Sequence, residues 1–275
     1  MIYQPISIIM KLQVIQERIQ NAKDLDFGTL FNQSIELFKK VWVQGLITIL
    51  LNMVLAIPVA MIVYIPLIFM GVLDTVAAAS YDEYGYSSYG EPDISPMVFV
   101  VMGVLYVFAI LVLSIIGVAL KAAFYRICKL KDFEEMGKED YFYFFKKPYL
   151  SKTITLGVAY IGISLLAALL CVIPLIYALV PLSYVFVVYA FNPEKSVSEI
   201  INLSFKLGNR KWLITFGLLI VCGLLAGIVG MLLCFVGIYV TQSFGYLPPY
   251  LIYKDVIGFD QEDSANQIIE HTVSE

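Results

Sequence analysis

The chain is short of charge and almost without histidine. Of its 275 residues 15% are charged, one is histidine, and 60% are hydrophobic. Soluble domains carry about 25% charged and about 45–50% apolar residues, so this composition suits a bilayer rather than a water-facing surface. Charge is absent altogether from four stretches, 41–73, 94–120, 153–193 and 212–253. The lone histidine, His271, stands four residues from the C-terminal Glu275. An intramembrane serine hydrolase needs a base for its nucleophile, normally histidine, and a non-haem iron site needs several imidazole or carboxylate ligands. The four uncharged stretches offer neither a histidine nor a carboxylate. No P-loop, dinucleotide fingerprint or metal-spaced cysteine pair is present. Cys128, Cys171, Cys222 and Cys234 lack ligand spacing and read as small apolar packing residues, with a Cys171–Cys234 disulfide open as an alternative. The expectations are no enzyme, no catalytic residue, no metal and no cofactor.

What remains is hydrophobic length. A helix crossing about 30 Å of hydrocarbon needs about 20 residues. The first two uncharged stretches each hold one span. The last two each hold two, divided near Pro174 and near Gly227–Gly230 by residues that break or bend helices. The predicted fold is all-α, a polytopic bundle of six transmembrane helices at about 43–71, 96–120, 153–172, 174–191, 212–229 and 231–253. A cytoplasmic N-terminal segment, 1–42, with an amphipathic interfacial helix precedes the bundle (43–253), and an acidic cytoplasmic tail, 254–275, follows it. Residues 1–25 do not read as a secretory signal, because Lys11, Arg18 and Lys23 interrupt any apolar core. Met10 offers a second translational start.

Lys and Arg concentrate in cytoplasmic loops. Along the seven segments outside the predicted spans they number 5, 0, 8, 0, 4, 0 and 1, a perfect alternation that places both termini on the cytoplasmic side. The expected location is the bacterial cytoplasmic (inner) membrane. The outer loop, 73–93, carries five acids and no base and reads as a solvated loop.

The chain also repeats itself. With an offset of 170, Asn32, Ser34, Leu37, Lys40 and Trp42 in NQSIELFKKVW match Asn202, Ser204, Leu207, Arg210 and Trp212 in NLSFKLGNRKW. Trp42 and Trp212 are the only tryptophans. Each copy continues an amphipathic pattern, Phe27, Leu30, Phe31, Ile35, Phe38 and Val41 in the first, Val197, Ile200, Ile201, Ser204 and Phe205 in the second. Such a helix can lie in the headgroup plane, with Lys40 or Arg210 reaching anionic headgroups and Trp42 or Trp212 at the boundary. These four residues are the predicted interfacial anchors. The offset contains an even number of predicted spans, so the internal repeat is parallel, not inverted.

LDFGTLFNQSIELFKKVW, SYVFVVYAFNPEKSVSEIINLSFKLGNRKW and a last apolar segment ending in YLIYKD together resemble a family of bacterial six-span integral membrane proteins. It includes the membrane domain fused to some glycerophosphoryl diester phosphodiesterases and related uncharacterised membrane proteins. The resemblance implies a fold. It does not bring the phosphodiesterase activity, which belongs to a separate soluble barrel for which this chain has no segment of sufficient length.

Ionisable groups within spans mark proton relays and ion pathways, and the six predicted spans contain none, which opposes a proton-coupled carrier. The best intramembrane polar site is Thr241, Gln242 and Ser243, followed by Pro248 and Pro249, which must interrupt the helix and free backbone carbonyls. Asn52 is a further polar residue in the first span. Gly223 and Gly227 form a small-xxx-small pair that predicts close helix packing within the bundle. The expected partners are membrane lipids and a membrane protein, with no nucleic acid. Two roles follow: a non-enzymatic scaffold or accessory subunit, or alternatively a carrier or binder of a lipid or other uncharged apolar molecule. A stoichiometric protein partner would favour the first. A cavity running from the bilayer to Gln242 would favour the second.

Overall fold

A computed structural model describes residues 6–82, 96–170, 172–233 and 237–259, and among these every regular element is helical. The outer loop beyond Asp82, Cys171, Cys234 and the tail from Asp260 lie outside the described residues. In chain order the elements are α1 (Ile6–Gln20), α2 (Phe27–Asp82), α3 (Pro96–Asp132), a 3-10 turn (Tyr143–Phe145), α4 (Lys147–Leu169), α5 (Val172–Phe191), α6 (Val197–Arg210), α7 (Trp212–Leu232), α8 (Gly237–Thr241), a second 3-10 turn (Gln242–Tyr246) and α9 (Leu247–Val256). Five of them, α2, α3, α4, α5 and α7, are long and apolar enough to cross a membrane. The chain is a multi-pass membrane protein.

The two repeat copies begin alike and end differently. Asp26 caps α2, its carboxylate accepting the Thr29 N–H at 2.7 Å, and α6 opens with a capping box between Ser196 and Glu199. The matched serines are both fully buried and donate to the carbonyl one turn back, Ser34 to Leu30 and Ser204 to Ile200. Beyond them α2 runs unbroken through Trp42 to Asp82, where the sequence predicts a separate helix before the first span. The second copy breaks at Lys211, which leaves the α-helical region at φ −118°, ψ 27°. The position matching Lys211 is Val41, which is wholly buried. A lysine there cannot stay in an apolar contact, and its ammonium instead donates to the carbonyls of Ala22 and Lys23 in the linker after α1.

The predicted last span, 231–253, is not one helix. Pro248 and Pro249 have no N–H, and their rings clash with carbonyls four residues earlier. The chain tightens to 3-10 geometry over Gln242–Tyr246. It then restarts as α9, with the prolines in a first turn that needs no N–H donors.

Burial is concentrated at the basic end of the bundle. There α5 is encased from Val180 to Phe191 apart from Ser183, against the end of α3, α6 and α9, with Phe124, Tyr125, Tyr184, Tyr189 and Tyr250 wholly or almost wholly enclosed. At the opposite end Phe99, Leu169, Ile173 and Leu232 are exposed, as lipid-facing side chains of a bundle would be. Basic side chains stitch the packed end together. Lys254 pairs with Asp132, Lys131 with Glu139 and Lys146 with Asp140, while Lys152 donates to the Pro193 carbonyl and Arg18 to that of Ile257.

Gly223 and Gly227 do not make the packing contact their spacing predicts. A β-carbon at either would meet nothing within 4 Å. The close approaches are made elsewhere, by Gly208 on Pro181, Gly45 on Ser243 and Gly230 on Ile238. Cys128 and Cys222 are buried free thiols.

Candidate functional site

A cavity of about 590 Å³ lies among α2, α3, α4, α5, α8 and the second 3-10 turn. Helical spacing aims its polar groups inward. Thr48 and Asn52 are one turn apart on α2, and Ser114, Gly117 and Lys121 fall three and four residues apart on α3, so each set shares a face. Tyr239, Gln242 and Tyr246 keep the same intervals even though the chain changes from α to 3-10 between them. Gly117 faces Asn52, whose Nδ2 would lie 4.0 Å from a β-carbon added there, an ordinary contact.

The polar groups divide into those already satisfied and those left open. Thr48 donates to the Gln44 carbonyl at 2.8 Å, and Ser114 to the Gly157 carbonyl at 3.1 Å. The Asn52 and Gln242 amides and the hydroxyls of Tyr160, Tyr239 and Tyr246 make no hydrogen bond among the described residues. The Lys121 ammonium makes none either, and no ion pair. It sits between two aromatic rings, 4.2 Å from the Tyr246 centroid and 4.6 Å from that of Phe186, an attraction to ring faces that leaves its N–H donors free. Among the described residues no carboxylate lines the cavity. The remaining wall is apolar, with Ile49, Met53, Ile110, Leu113 and Ile161.

Of the four residues expected to form an intramembrane polar site, Asn52 and Gln242 face this cavity. Thr241 and Ser243 do not. Thr241 donates to the Ala226 carbonyl at 2.7 Å and to that of Gly237 at 3.0 Å, tying α8 to α7, and Ser243 bonds within its own turn to Val240 while filling the space above Gly45. Their neighbouring sequence positions conceal opposite directions. Lys121 was missed because the charge-free stretch on α3 ends at Leu120, whereas the helix continues to Asp132. Lys121 stands one residue beyond the predicted second span, 96–120, on a helix that carries on past it. The signal that could have found Lys121 is its spacing from Ser114 and Gly117.

The predicted anchors are spread over the packed end. Lys40 pairs with Glu134 at 3.1 Å, Trp42 and Arg210 are exposed, and Trp212 donates its indole N–H to the Tyr177 carbonyl at 3.1 Å while stacking on Phe216 at 4.7 Å. Trp212 therefore also fastens α7 to α5. Lys129 is a second cation without a hydrogen-bond partner, but it is buried 5.2 Å from the Phe259 ring and does not line the cavity.

The cavity pairs a polar, cationic end with an apolar wall. Among the described residues it has no nucleophile with an adjacent base, and no group of His, Cys, Asp and Glu side chains could hold a metal. Comparison with protein families, characterised proteins and solved structures finds no match to this chain.

Proposed function

We propose that this chain is a non-enzymatic integral membrane protein that binds an amphiphilic molecule, taken from the surrounding lipid, in the cavity among α2, α3, α4, α5 and the second 3-10 turn. The observation that carries this reading is the convergence of Asn52 and Gln242, without hydrogen-bond partners among the described residues, on a space that also has an apolar wall of Ile49, Met53, Ile110, Leu113 and Ile161. Polar groups in a hydrocarbon environment cost several kcal/mol each when unsatisfied. A headgroup with donors and acceptors satisfies them, and the acyl chain covers Ile110, Leu113 and Met53. In this reading the segment 237–256 is a broken sixth crossing, the parallel repeat marks two related halves, and the basic end faces the cytoplasm of a bacterial cell. The resemblance to the six-span family is consistent with that arrangement.

The test is to purify the full chain in nanodiscs and quantify the lipid that stays bound after exchange into neutral detergent. The wild type is expected to retain lipid that Asn52→Leu and Gln242→Leu together release at unchanged thermal stability. Equal retention by wild type and double variant removes the cavity from any binding role.

A second reading, the scaffold or accessory subunit, is favoured by one feature. Gly223 and Gly227 form a bare strip on α7 beside exposed Leu224 and Ile228, where a helix of another protein could approach closely.

A further inference from the structure

The reading of the cavity as an amphiphile site leaves the headgroup undefined, and Lys121 defines it. On that reading we infer that the ligand is a lipid with an anionic headgroup, its phosphate or carboxylate oxygens seated between the Lys121 ammonium and the Gln242 amide.

Three observations converge. First, several basic residues at this end of the bundle have protein acceptors: Lys254, Lys131, Lys146 and Lys40 meet carboxylates, and Lys152, Lys211 and Arg18 meet backbone carbonyls. Lys121 opens into the cavity with neither. Second, its two aromatic neighbours approach through their ring faces. They hold the ammonium in place without filling its donor positions, which an anion's oxygens would take. Third, the described residues that line the cavity offer amide donors and no carboxylate, so none of them repels an anion. An uncharged ligand would leave the ammonium uncompensated in a poorly solvated place.

A lipid, not a free anion, is the source the walls favour. From Lys121 the α3 face runs through Gly117 and Ser114 to Ile110, eleven residues or about 16 Å of helix, and both Leu113 and Ile110 line the cavity while remaining partly exposed. A soluble anion would use the charged end and leave this apolar face empty. Basic pockets between transmembrane helices at the cytoplasmic side suit anionic headgroups.

The experiment is native mass spectrometry of the full chain, delipidated in neutral detergent and offered equimolar phosphatidylglycerol and phosphatidylcholine with identical acyl chains. Phosphatidylglycerol is expected to be retained over phosphatidylcholine by about fivefold or more, the scale one lysine near an anionic headgroup supplies. Lys121→Gln should erase the preference, Lys121→Arg should keep it, and Lys39→Gln, at an exposed lysine paired with Glu36, should leave it untouched. Equal retention of both lipids, unchanged by Lys121→Gln but lost in the Asn52 and Gln242 variants, overturns the anionic headgroup while sparing the amphiphile reading. Retention of neither lipid overturns both. Displacement of phosphatidylglycerol by millimolar inorganic phosphate, with the phosphate adduct appearing in its place, overturns the lipid as the source.

Discussion

Gly208 on α6 lies against Pro181 on α5 so closely that a β-carbon added to Gly208 would stand 2.7 Å from the proline Cα. The neighbour is backbone and cannot turn aside, so Gly208→Ala must push the helices apart. The expected cost is about 1–3 kcal/mol, typical of overpacking, seen as a lowered unfolding temperature in detergent. An unchanged temperature would mean that the two helices do not meet this tightly. At the matching position of the first copy stands Phe38, packed edge-on against Phe244 at 5.4 Å, so the same repeat supports opposite packing.

Tyr184 and Thr215 join α5 to α7 in the dry interior, their hydroxyl oxygens 2.6 Å apart. Thr215 also hydrogen-bonds the Lys211 carbonyl at 2.6 Å, which assigns Tyr184 as the donor between them. Thr215→Val leaves that donor unsatisfied and should cost about 1 kcal/mol. In a double-mutant cycle Tyr184→Phe combined with Thr215→Val should cost less than the two changes summed. Strict additivity would show that the pair is not coupled.

Two helix starts should respond to acid. The Thr29 N–H bonded to Asp26 lowers that carboxyl below its usual value of 3.8, and the Ser196 hydroxyl and N–H lower Glu199 below 4.5. For a carboxyl whose folded pKa is depressed, the unfolded chain binds the proton first. The stabilisation is therefore complete above the ordinary values and disappears as pH falls through the lowered ones. Unfolding temperature measured from about pH 6 to about pH 3 should decline, and Glu199→Gln should flatten part of that decline. A decline identical in the variant would remove the α6 cap from the account.

Gly223→Leu and Gly227→Leu should be silent in the isolated protein, because neither added side chain begins against a neighbour. An unfolding free energy within about 0.5 kcal/mol of wild type is expected. A marked loss would place a second helix on this face.

Sequence alone determined that the chain belongs in a membrane, because the hydrocarbon thickness and the cost of bare charge act on local composition. Five of the predicted segments correspond to helices long enough to cross, at 27–82, 96–132, 147–169, 172–191 and 212–232. The helix break before Pro248 was legible for the same reason, since a missing N–H is a property of one residue. Convergence was not legible. Asn52, Lys121 and Gln242 lie on three segments far apart in the chain, and their meeting depends on how α2, α3 and the second 3-10 turn rotate about their axes. That rotation is set by close contacts such as Gly45 on Ser243, which turns Ser243 into packing and leaves Gln242 facing the cavity. Tertiary structure also decided the fate of the repeat. A single buried valine at 41 lets α2 continue, whereas Lys211 at the matching position turns aside to reach backbone carbonyls after α1, and the helix breaks there.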